Sequence, residues 1–425
     1  MKITFYKIIF TAFILNSTLS FAQFKILFDA TKAEMVGSAD WVIDADVHNV
    51  YFNSTTHIPY TNGSGGASNP QRIPTLAQSG ITSTTTETYW DGALSAMAVD
   101  CAKQNYIVES LPFNGAITFG NLSNTQDLSY YKVFVVDEPN SLFSAAEKTA
   151  IMNFVANGGG LMFIADHTGS DRNYDGYDSP VIWNDLLTNN SVQNNPFGIT
   201  FDLVNVTGNS TAFAALTSTS PYYSIMHGTF GVPAQAYWSN GTTMTLNTTN
   251  NSTVKGIVFK SGSSTTGTTN VFAAAATFQN GKVFAIGDSS ILDDGTGDPN
   301  DSLFTGYTGD ANGNHQKLIM NAMIWLMTYN TAATNENLLD TTHFSIAPNP
   351  TEDKQLHFTF TLDEIQNTTV ALYDTLGRMV KEVQLNQLNN GINYQSIDAS
   401  NLEFGLYICK LSNPTGSKSV QVIIK

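Results

Sequence analysis

Four short apolar runs, each stopped by an acidic residue, constrain the fold of this chain more than any other feature. They read FKILFD (24–29), KVFVVDE (132–138), LMFIADH (161–167) and KVFAIGD (282–288). Continuous apolar runs of this length are typical of strands that are covered on both faces. The sequence therefore predicts a sheet that is buried between two layers.

Helical patterns lie between these runs, at residues 91–104, 144–160 and 315–329. In the second pattern, Ser144 and Glu147 have the spacing of a capping box, and Gly158 is placed to end the helix. Buried strands that alternate with helices predict an α/β domain with a mostly parallel sheet and helices on both faces. Ligands of such sheets gather at the carboxyl ends of the strands.

The polar residues at those strand ends are therefore the candidate site. Asp166 and His167 follow one strand and Asp288 follows another, and we take all three as candidate catalytic residues. A histidine beside an acid can act as a general base or as a metal ligand, or it can simply bond a loop carbonyl. His315 is the fourth candidate, because a helix N-terminus favours a neutral imidazole.

The loop DRNYDGYD (171–178) follows the third apolar run. Asp171, Asn173 and Asp175 stand at alternate positions before Gly176, as in the first half of a calcium-binding EF-hand loop. The glutamate that would complete such a loop is missing, and Asp178 or Asp185 could substitute for it. The alternatives are a divalent-cation site, with calcium as the first choice, and a polar turn whose side chains bond its own backbone.

The C-terminal part reads as a separate unit of short alternating strands, which predicts a small β-sandwich at residues 343–425. The pieces APNP (347–350), LYDTLGRMV (372–380), IDASNLEFGLYICKL (397–411) and the terminal KSVQVIIK resemble the C-terminal sorting domain of the type IX secretion system of Bacteroidetes. That resemblance implies a secreted or surface protein whose tail is read by the secretion machinery.

The two ends of the remaining chain are also predictable. Residues 1–22 have the two lysines, the apolar run and the small residues of a signal peptide, and no later segment is apolar enough to span a bilayer. Residues 331–342 are polar without periodicity, which indicates a linker. The working domain is thus expected at residues 23–330.

A second resemblance concerns this working domain. The segment from YKVFVVDEP to LMFIADH (131–167), together with KVFAIGDSSILDD (282–294) and NHQKLIMNAMIWLM (314–327), resembles class I glutamine-amidotransferase-like domains, including the ThuA-like group. The resemblance implies a flavodoxin-like sheet. Asp166 and His167 occupy the elbow where amidotransferases carry a cysteine, so a thiol mechanism is not expected.

The net charge and the motif content narrow the range of functions that this chain can have. The formal charge is −16, which disfavours a phosphate backbone as ligand, and no P-loop or dinucleotide fingerprint indicates a nucleotide cofactor. The leading hypothesis is a secreted, metal-assisted hydrolase acting on an extracellular polymer such as a polysaccharide or its ester. The alternative is a non-enzymatic, calcium-stabilised carbohydrate-binding or adhesive module, and a secreted metal-dependent nuclease is third.

Overall fold

The computed structural model divides the chain into two compact units, residues 1–330 and residues 331–425. The predicted signal peptide (1–22) and linker (331–342) lie outside the described residues. The described residues are 24–37, 39–44, 52–58, 71–210, 212–297, 304, 306–310, 313–328, 344–351, 353–362, 365, 367–374, 378–413 and 416–425.

The first unit is a mixed α/β structure with a mostly parallel central sheet. Its strands are β1 (Lys25–Asp29), β2 (Ile107–Leu111), β3 (Val133–Asp137), β4 (Gly160–Ile164), β5 (Ile199–Phe201), β6 (Val206–Ser210), β7 (Ala212–Phe213), β8 (Ala236–Gly241), β9 (Met244–Leu246), β10 (Lys255–Phe259), β11 (Val271–Phe278) and β12 (Gly281–Ile286). Its helices are α1 (Ser95–Lys103), α2 (Ala145–Ala156), α3 (Ser179–Thr188), α4 (Tyr223–Met226), α5 (Gly306–Gly309) and α6 (Asn314–Met327).

The centre of the sheet consists of five parallel strands in the order β2-β1-β3-β4-β12. Beyond β12 the sheet continues with β11, β10 and β7, all antiparallel to their neighbours. Strands β6 and β8 form a separate antiparallel ribbon. The four acid-terminated runs are β1, β3, β4 and β12, so their carboxyl ends lie along one edge of the sheet.

Helices cover both faces of this sheet. Val133 and Val135 of β3 belong to the core that contains residues of α1 and α6. Phe134 and Val136, the alternate residues, belong to the core that contains residues of α2 and α3. Since successive side chains of a strand point to opposite faces, both sets must be apolar, and this explains the unbroken apolar runs in the sequence.

Helix α2 begins and ends as the sequence predicts. The Ser144 hydroxyl accepts a hydrogen bond from the backbone N–H of Glu147, and the Glu147 carboxylate accepts one from the N–H of Ser144. Gly158 follows the helix with a φ of 104°, a conformation that glycine adopts without steric cost. The capping box and the glycine stop are both confirmed.

The second unit is built from two antiparallel sheets that share one hydrophobic core. One sheet has the order β13-β14-β17 and the other β16-β15-β18-β19. The strands are β13 (Phe344–Ile346), β14 (Gln355–Leu362), β15 (Thr369–Tyr373), β16 (Met379–Gln384), β17 (Gly391–Asp398), β18 (Gly405–Asn413) and β19 (Gly416–Ile424).

Candidate functional site

The acidic residues that follow β1, β3, β4 and β12 are buried at one edge of the sheet. Asp29, Asp137, Glu138, Asp166 and Asp288 are each no more than 4% exposed. Because the four strands are parallel and adjacent, the positions after their last residues fall next to one another. The expectation that Asp166 and Asp288 share one edge therefore agrees with the topology.

Glu138 ties several loops of this edge together. Its Oε1 accepts hydrogen bonds from Arg172 Nε at 2.8 Å and from Ser170 Oγ at 3.1 Å. Its Oε2 accepts from Ser289 Oγ at 3.3 Å and from the indole N–H of Trp41. The loops after β1, β4 and β12 thus contribute donors to this single carboxylate.

The backbone of Glu138 is also unusual, with a φ of 43° in a buried residue that is not glycine. Left-handed backbone at such a residue is unfavourable, and it persists only where the surrounding structure enforces it. Here the N–H of Glu138 donates to the Ile164 carbonyl oxygen at the end of β4, while its side chain is held by the loops. Strained residues of this kind cluster at functional sites.

Asp166, His167 and Arg172 form the part of the edge that meets solvent. The exposed fractions of their side chains are 6%, 24% and 25%. Asp166 Oδ2 lies 3.8 Å from His167 Nε2 and 3.8 Å from Arg172 Nη2. We call these three residues the mouth of the site, because the partly exposed His167 and Arg172 flank the Asp166 carboxylate.

The protonation of Asp166 follows from its surroundings. Burial raises the pKa of Asp166 well above its ordinary value, and the nearby carboxylates of Glu138 and Asp288 raise it further. The guanidinium of Arg172 acts in the opposite direction with a smaller effect on the pKa. Asp166 therefore keeps its proton to an unusually high pH and is able to act as a proton donor.

The orientation of His167 complements that of Asp166. Its Nδ1 lies 2.8 Å from the carbonyl oxygen of Thr168, which requires the proton of a neutral ring to sit on Nδ1. The lone pair is then on Nε2, the nitrogen that faces Asp166. A proton donor and a proton acceptor thus stand side by side at the mouth.

Asp137 lies behind the mouth and is the most isolated acid of the edge. Neither of its carboxylate oxygens has a hydrogen-bond partner among the described residues, although both are buried. Burial raises its pKa well above the ordinary value, and the charges of Glu138, Asp288 and Asp293 add to the effect. Burial without a partner thus favours the protonated form of Asp137, because an unpaired buried charge is costly.

Asp288 is buried but well bonded. Its Oδ1 accepts from the N–H of Ser290 at 2.9 Å, and its Oδ2 accepts from the N–H of Ser239. Burial raises its pKa to about 7, while these two hydrogen bonds lower it. Asp288 contributes charge to the edge, but its oxygens are engaged with backbone.

The structure places His315 apart from the mouth. Its Nδ1 lies 2.7 Å from the Gly306 carbonyl oxygen, and its Nε2 accepts a hydrogen bond from the N–H of Tyr237 at 2.8 Å. Burial lowers the pKa of His315, so the ring is neutral with both nitrogens engaged. Among the described residues, His315 makes no hydrogen bond to the other three candidate catalytic residues, and it instead accepts one from the backbone of β8.

The loop at 171–178 is held by its own hydrogen bonds. Asp171 accepts from the N–H groups of Asp175 and Gly176 at 3.1 and 2.8 Å, and Asn173 Oδ1 also accepts from the N–H of Asp175. Asp175 Oδ1 accepts from the N–H of Tyr177, and Asp178 caps α3 through the N–H of Val181. These contacts are those of the polar turn that the sequence allowed as the alternative to a cation site.

Within the described ranges, no three His, Cys, Asp or Glu side chains are grouped so that they could hold a metal ion.

Sequence reasoning missed Arg172 and Trp41, and it did not predict the contact between Ser289 and Glu138. Arg172, Trp41 and Ser289 contact Glu138 across 34, 97 and 151 positions of the chain. Glu138 itself carried a signal, since it follows a buried strand directly, but nothing local marks its distant donors. Contacts of that separation depend on the sheet order.

Comparison with known proteins identifies the second unit. Residues 345–425 match the family described as a secretion system C-terminal sorting domain. This match supports the type IX assignment and shows a secreted or cell-surface protein of Bacteroidetes type, whose tail interacts with the secretion machinery. No helix within the described part of the chain has the length and apolar character needed to cross a membrane.

The comparisons with known proteins assign no family to the first unit. No curated protein matches the chain. A solved structure, the mmIFT52 N-terminal domain, is similar at 15% sequence identity with a TM-score of 0.40, covering 72% of this chain and 98% of that chain. A likeness at that score carries no argument about this protein.

Proposed function

We propose that the first unit is a secreted hydrolase that acts on an extracellular polymer, such as a polysaccharide or its ester. We also propose the flavodoxin-like, amidotransferase-like architecture for it, supported by the central strand order β2-β1-β3-β4-β12, which follows the flavodoxin-like order. The single observation that carries the function is the pairing of Asp166 with His167 at the mouth, 3.8 Å apart.

The proposed reaction uses the two residues in turn. His167 Nε2 takes a proton from a water molecule as the water oxygen attacks the electrophilic carbon of the substrate. Asp166 gives its proton to the oxygen that leaves as the bond breaks. The imidazolium of His167 then returns a proton to the Asp166 carboxylate, so the residues regain their initial states and the net reaction consumes one water molecule.

Arg172 is the proposed positioning residue of the mouth. It bridges the Glu138 carboxylate, which stays fixed in the edge, and Asp166, which meets the substrate. A guanidinium in this position stabilises the negative charge that remains on Asp166 after proton transfer.

A second candidate function is a carbohydrate-binding or adhesive module without catalysis. It is favoured by the two tyrosines of the loop at 171–178, since Tyr174 and Tyr177 are 48% and 41% exposed. Exposed aromatic rings beside polar groups suit sugar stacking. The nuclease hypothesis has weaker support, because the mouth lies in an edge of five acids and the whole chain carries −16.

The test is a hydrolysis screen of the protein without residues 1–22 against polysaccharides, sugar esters and nucleic acids, with and without a chelator. For any activity found, Asp166→Asn and His167→Ala are each expected to lower kcat by about 10²–10³-fold, the range for loss of a general acid or base. Activity is expected to fall as the pH rises through the raised pKa of Asp166, because the proton donor is then lost.

The matched control is His227→Ala. His227 resembles His167 because its Nδ1 also contacts a backbone carbonyl oxygen, that of Tyr223. It differs because its ring stacks on the ring of Tyr223, whereas His167 lies beside the Asp166 carboxylate. It is expected to leave kcat within about twofold. Equal losses in His227→Ala and His167→Ala, or full activity in Asp166→Asn, would rule out the proposed mechanism.

A further inference from the structure

A cavity of about 440 Å³ lies beside β8, outside the mouth. The residues that line it include Asn209, Gln235, Tyr237, Ser239, Phe304 and Asp310. We propose that this cavity binds a neutral sugar unit of a polysaccharide chain. The inference deepens the proposed function, and it rests on that function only in taking the polymer to be a polysaccharide.

Two exposed aromatic rings provide the apolar part of the cavity. Tyr237 is 40% exposed and Phe304 is 42% exposed, although large aromatic residues are usually buried. The flat C–H face of a sugar ring covers such a surface while its hydroxyl groups remain free for polar contacts. Rings exposed singly are ordinary, but two that line one cavity with polar neighbours indicate a ligand site.

The structure holds Tyr237 in place. The next residue of β8, Trp238, is fully buried and stacks on Phe272 with ring centroids 4.4 Å apart. The N–H of Tyr237 donates to His315 Nε2 at 2.8 Å. Because alternate side chains of a strand point to opposite faces, the buried Trp238 directs Tyr237 outward. A platform fixed in advance loses little entropy when a ligand binds.

Side-chain amides provide the polar part. Asn209 is the cross-strand partner of Tyr237 in the β6–β8 ribbon, and Gln235 Nε2 donates to Asn209 Oδ1 at 2.6 Å. Among the described residues, no other hydrogen bond engages the Asn209 amide nitrogen or the Gln235 amide oxygen, so the first can donate to a ligand and the second can accept from it. A donor and an acceptor side by side match the vicinal hydroxyl groups of a sugar.

The charge of the cavity selects among sugars. Asp310 lines it, and no lysine or arginine is among the described lining residues. Its Oδ2 already accepts from the N–H of Asn314 at 2.7 Å, which holds the carboxylate at the cavity wall. An anionic sugar would be repelled by this carboxylate and by the net charge of −16, so the ligand is a neutral one.

The cavity is also connected to the acidic edge. Ser239 and Ser290 line it, and the N–H groups of the same two residues bond the Asp288 carboxylate. Ser289, the residue between Asp288 and Ser290, donates to Glu138. One short segment thus forms part of both sites, which suits a polymer that is held at one unit and cut at another.

The experiment measures sugar binding by calorimetry in the His167→Ala variant without residues 1–22, so that hydrolysis does not remove the probe. The probes are cellohexaose, laminarihexaose, mannohexaose and xylohexaose. At least one is expected to bind, and addition of Tyr237→Ala is expected to weaken that binding at least tenfold. Asn209→Ala is expected to weaken it by about fivefold, as for loss of one ligand hydrogen bond.

The matched control is Tyr130→Ala. The exposed fraction of Tyr130 is 45%, which is similar to the 40% of Tyr237. Tyr130 precedes β3, however, and so lies at the opposite edge of the sheet. It is expected to leave the affinity within twofold. The proposal is overturned if all four probes fail to bind, if Tyr237→Ala and Asn209→Ala leave binding unchanged, or if Tyr130→Ala weakens it equally.

The outcome separates the two proposals. Sugar binding that depends on Tyr237, in a protein without hydrolytic activity, supports the cavity and contradicts the hydrolase. Hydrolysis that depends on Asp166, without sugar binding, supports the hydrolase and contradicts the cavity. Far-ultraviolet circular dichroism and thermal unfolding of each variant show whether a lost affinity reflects a lost fold.

Discussion

The two edges of the central sheet carry buried or half-buried charges of opposite sign, and these charges differ in their hydrogen bonding. We call the edge at the strand starts the lysine edge and the edge at the strand ends the acid edge. Lysines stand at the beginning of three of its strands, with Lys25 at β1, Lys132 before β3 and Lys282 at β12. Acids stand at the other end of the same strands, where Asp29, Asp137 and Asp288 follow the apolar run. Each lysine and its acid lie at opposite ends of one strand, so the two edges can be compared strand by strand.

At the lysine edge each charge has a partner. Lys282 Nζ donates to the Trp325 carbonyl oxygen at 3.1 Å and to Thr328 Oγ1 at 2.6 Å, at the C-terminus of α6 where the helix dipole favours a cation. Lys132 Nζ donates to the Gly158 carbonyl oxygen at 2.5 Å, just beyond α2. Lys25 forms an ion pair with Glu109 at 2.7 Å.

At the acid edge, several buried carboxylate oxygens have no hydrogen-bond partner among the described residues. Both carboxylate oxygens of Asp137, Oδ2 of Asp29 and Oε1 of Glu34 lack hydrogen-bond partners among the described residues. Burial raises the pKa values of all three acids. Unsatisfied groups of this kind cost stability, and natural proteins retain them mainly at functional sites. The lysine edge therefore supports the fold, and the acid edge is where the chemistry is expected.

The largest effect on stability is expected at the lysine edge. Lys282→Met keeps the apolar stem of the side chain but removes the charged donor to the Trp325 carbonyl oxygen and the Thr328 hydroxyl, which stay bonded to each other. We expect the free energy of unfolding to fall by about 2–3 kcal/mol, since hydrogen bonds to charged groups contribute about 1.5–3 kcal/mol. Urea unfolding measures this loss.

The control for that change is Lys255→Met, at the half-buried first residue of β10. It removes a lysine from the start of another strand of the same sheet and is expected to cost less than about 0.5 kcal/mol. If both variants lost the same stability, the loss would reflect charge alone, and the contrast between the two edges would not hold.

A substitution at Asp137 is expected to raise the free energy of unfolding rather than to lower it. Its pKa is raised in the folded protein above the ordinary value of 3.8. The folded state therefore binds more protons than the unfolded state above that pH, and stability falls as the pH rises toward the raised pKa. Asp137→Asn removes this dependence, so the stability of the variant is expected to rise relative to that of the wild type from pH 5 to pH 8, by up to about 1.4 kcal/mol per pH unit.

The measurement is urea unfolding of both proteins at pH 5, 6.5 and 8. The exposed Asp398 of the second unit is the control, because its pKa is lowered by hydrogen bonds to Ser400, and Asp398→Asn is expected to show no such gain. A constant difference between Asp137→Asn and the wild type at all three pH values would mean that Asp137 does not titrate as an unpaired acid.

The smallest effect is expected in the loop at 171–178. Asp171→Ala removes acceptors from two backbone N–H groups, and a loss of about 1 kcal/mol is expected because both N–H groups lie near solvent. The loss is expected to be equal in 5 mM calcium and in a chelator. A calcium-dependent rise in the melting temperature of the wild type that is absent in Asp171→Ala would instead establish the cation site.

The sequence was most informative where structure is local or periodic. The apolar runs around Phe28, Val135 and Phe163 defined strands that share one edge, and the Ser144 capping box defined the start of α2. Both signals depend on neighbours within a few residues, which is why they survive without knowledge of the fold. The mixed architecture with a mostly parallel centre followed from them.

The sequence was least informative where residues far apart must meet. Nothing near Arg172 indicates that it reaches Glu138, and nothing near His315 indicates that both of its nitrogens are engaged by other segments. The EF-hand spacing at Asp171 was ambiguous for another reason, since alternate acids suit either a cation or the N–H groups of the loop. The fold decides which partners are near.

The attachment of several loops to Glu138 has a consequence for how this protein can diverge. A residue inserted or deleted between β1 and Trp41, or between β12 and Ser289, would move a donor away from that carboxylate and loosen the other loops with it. Length changes near the mouth are therefore costly, whereas exchange of exposed side chains is not. The side chains at the mouth can therefore change by substitution at a constant loop length.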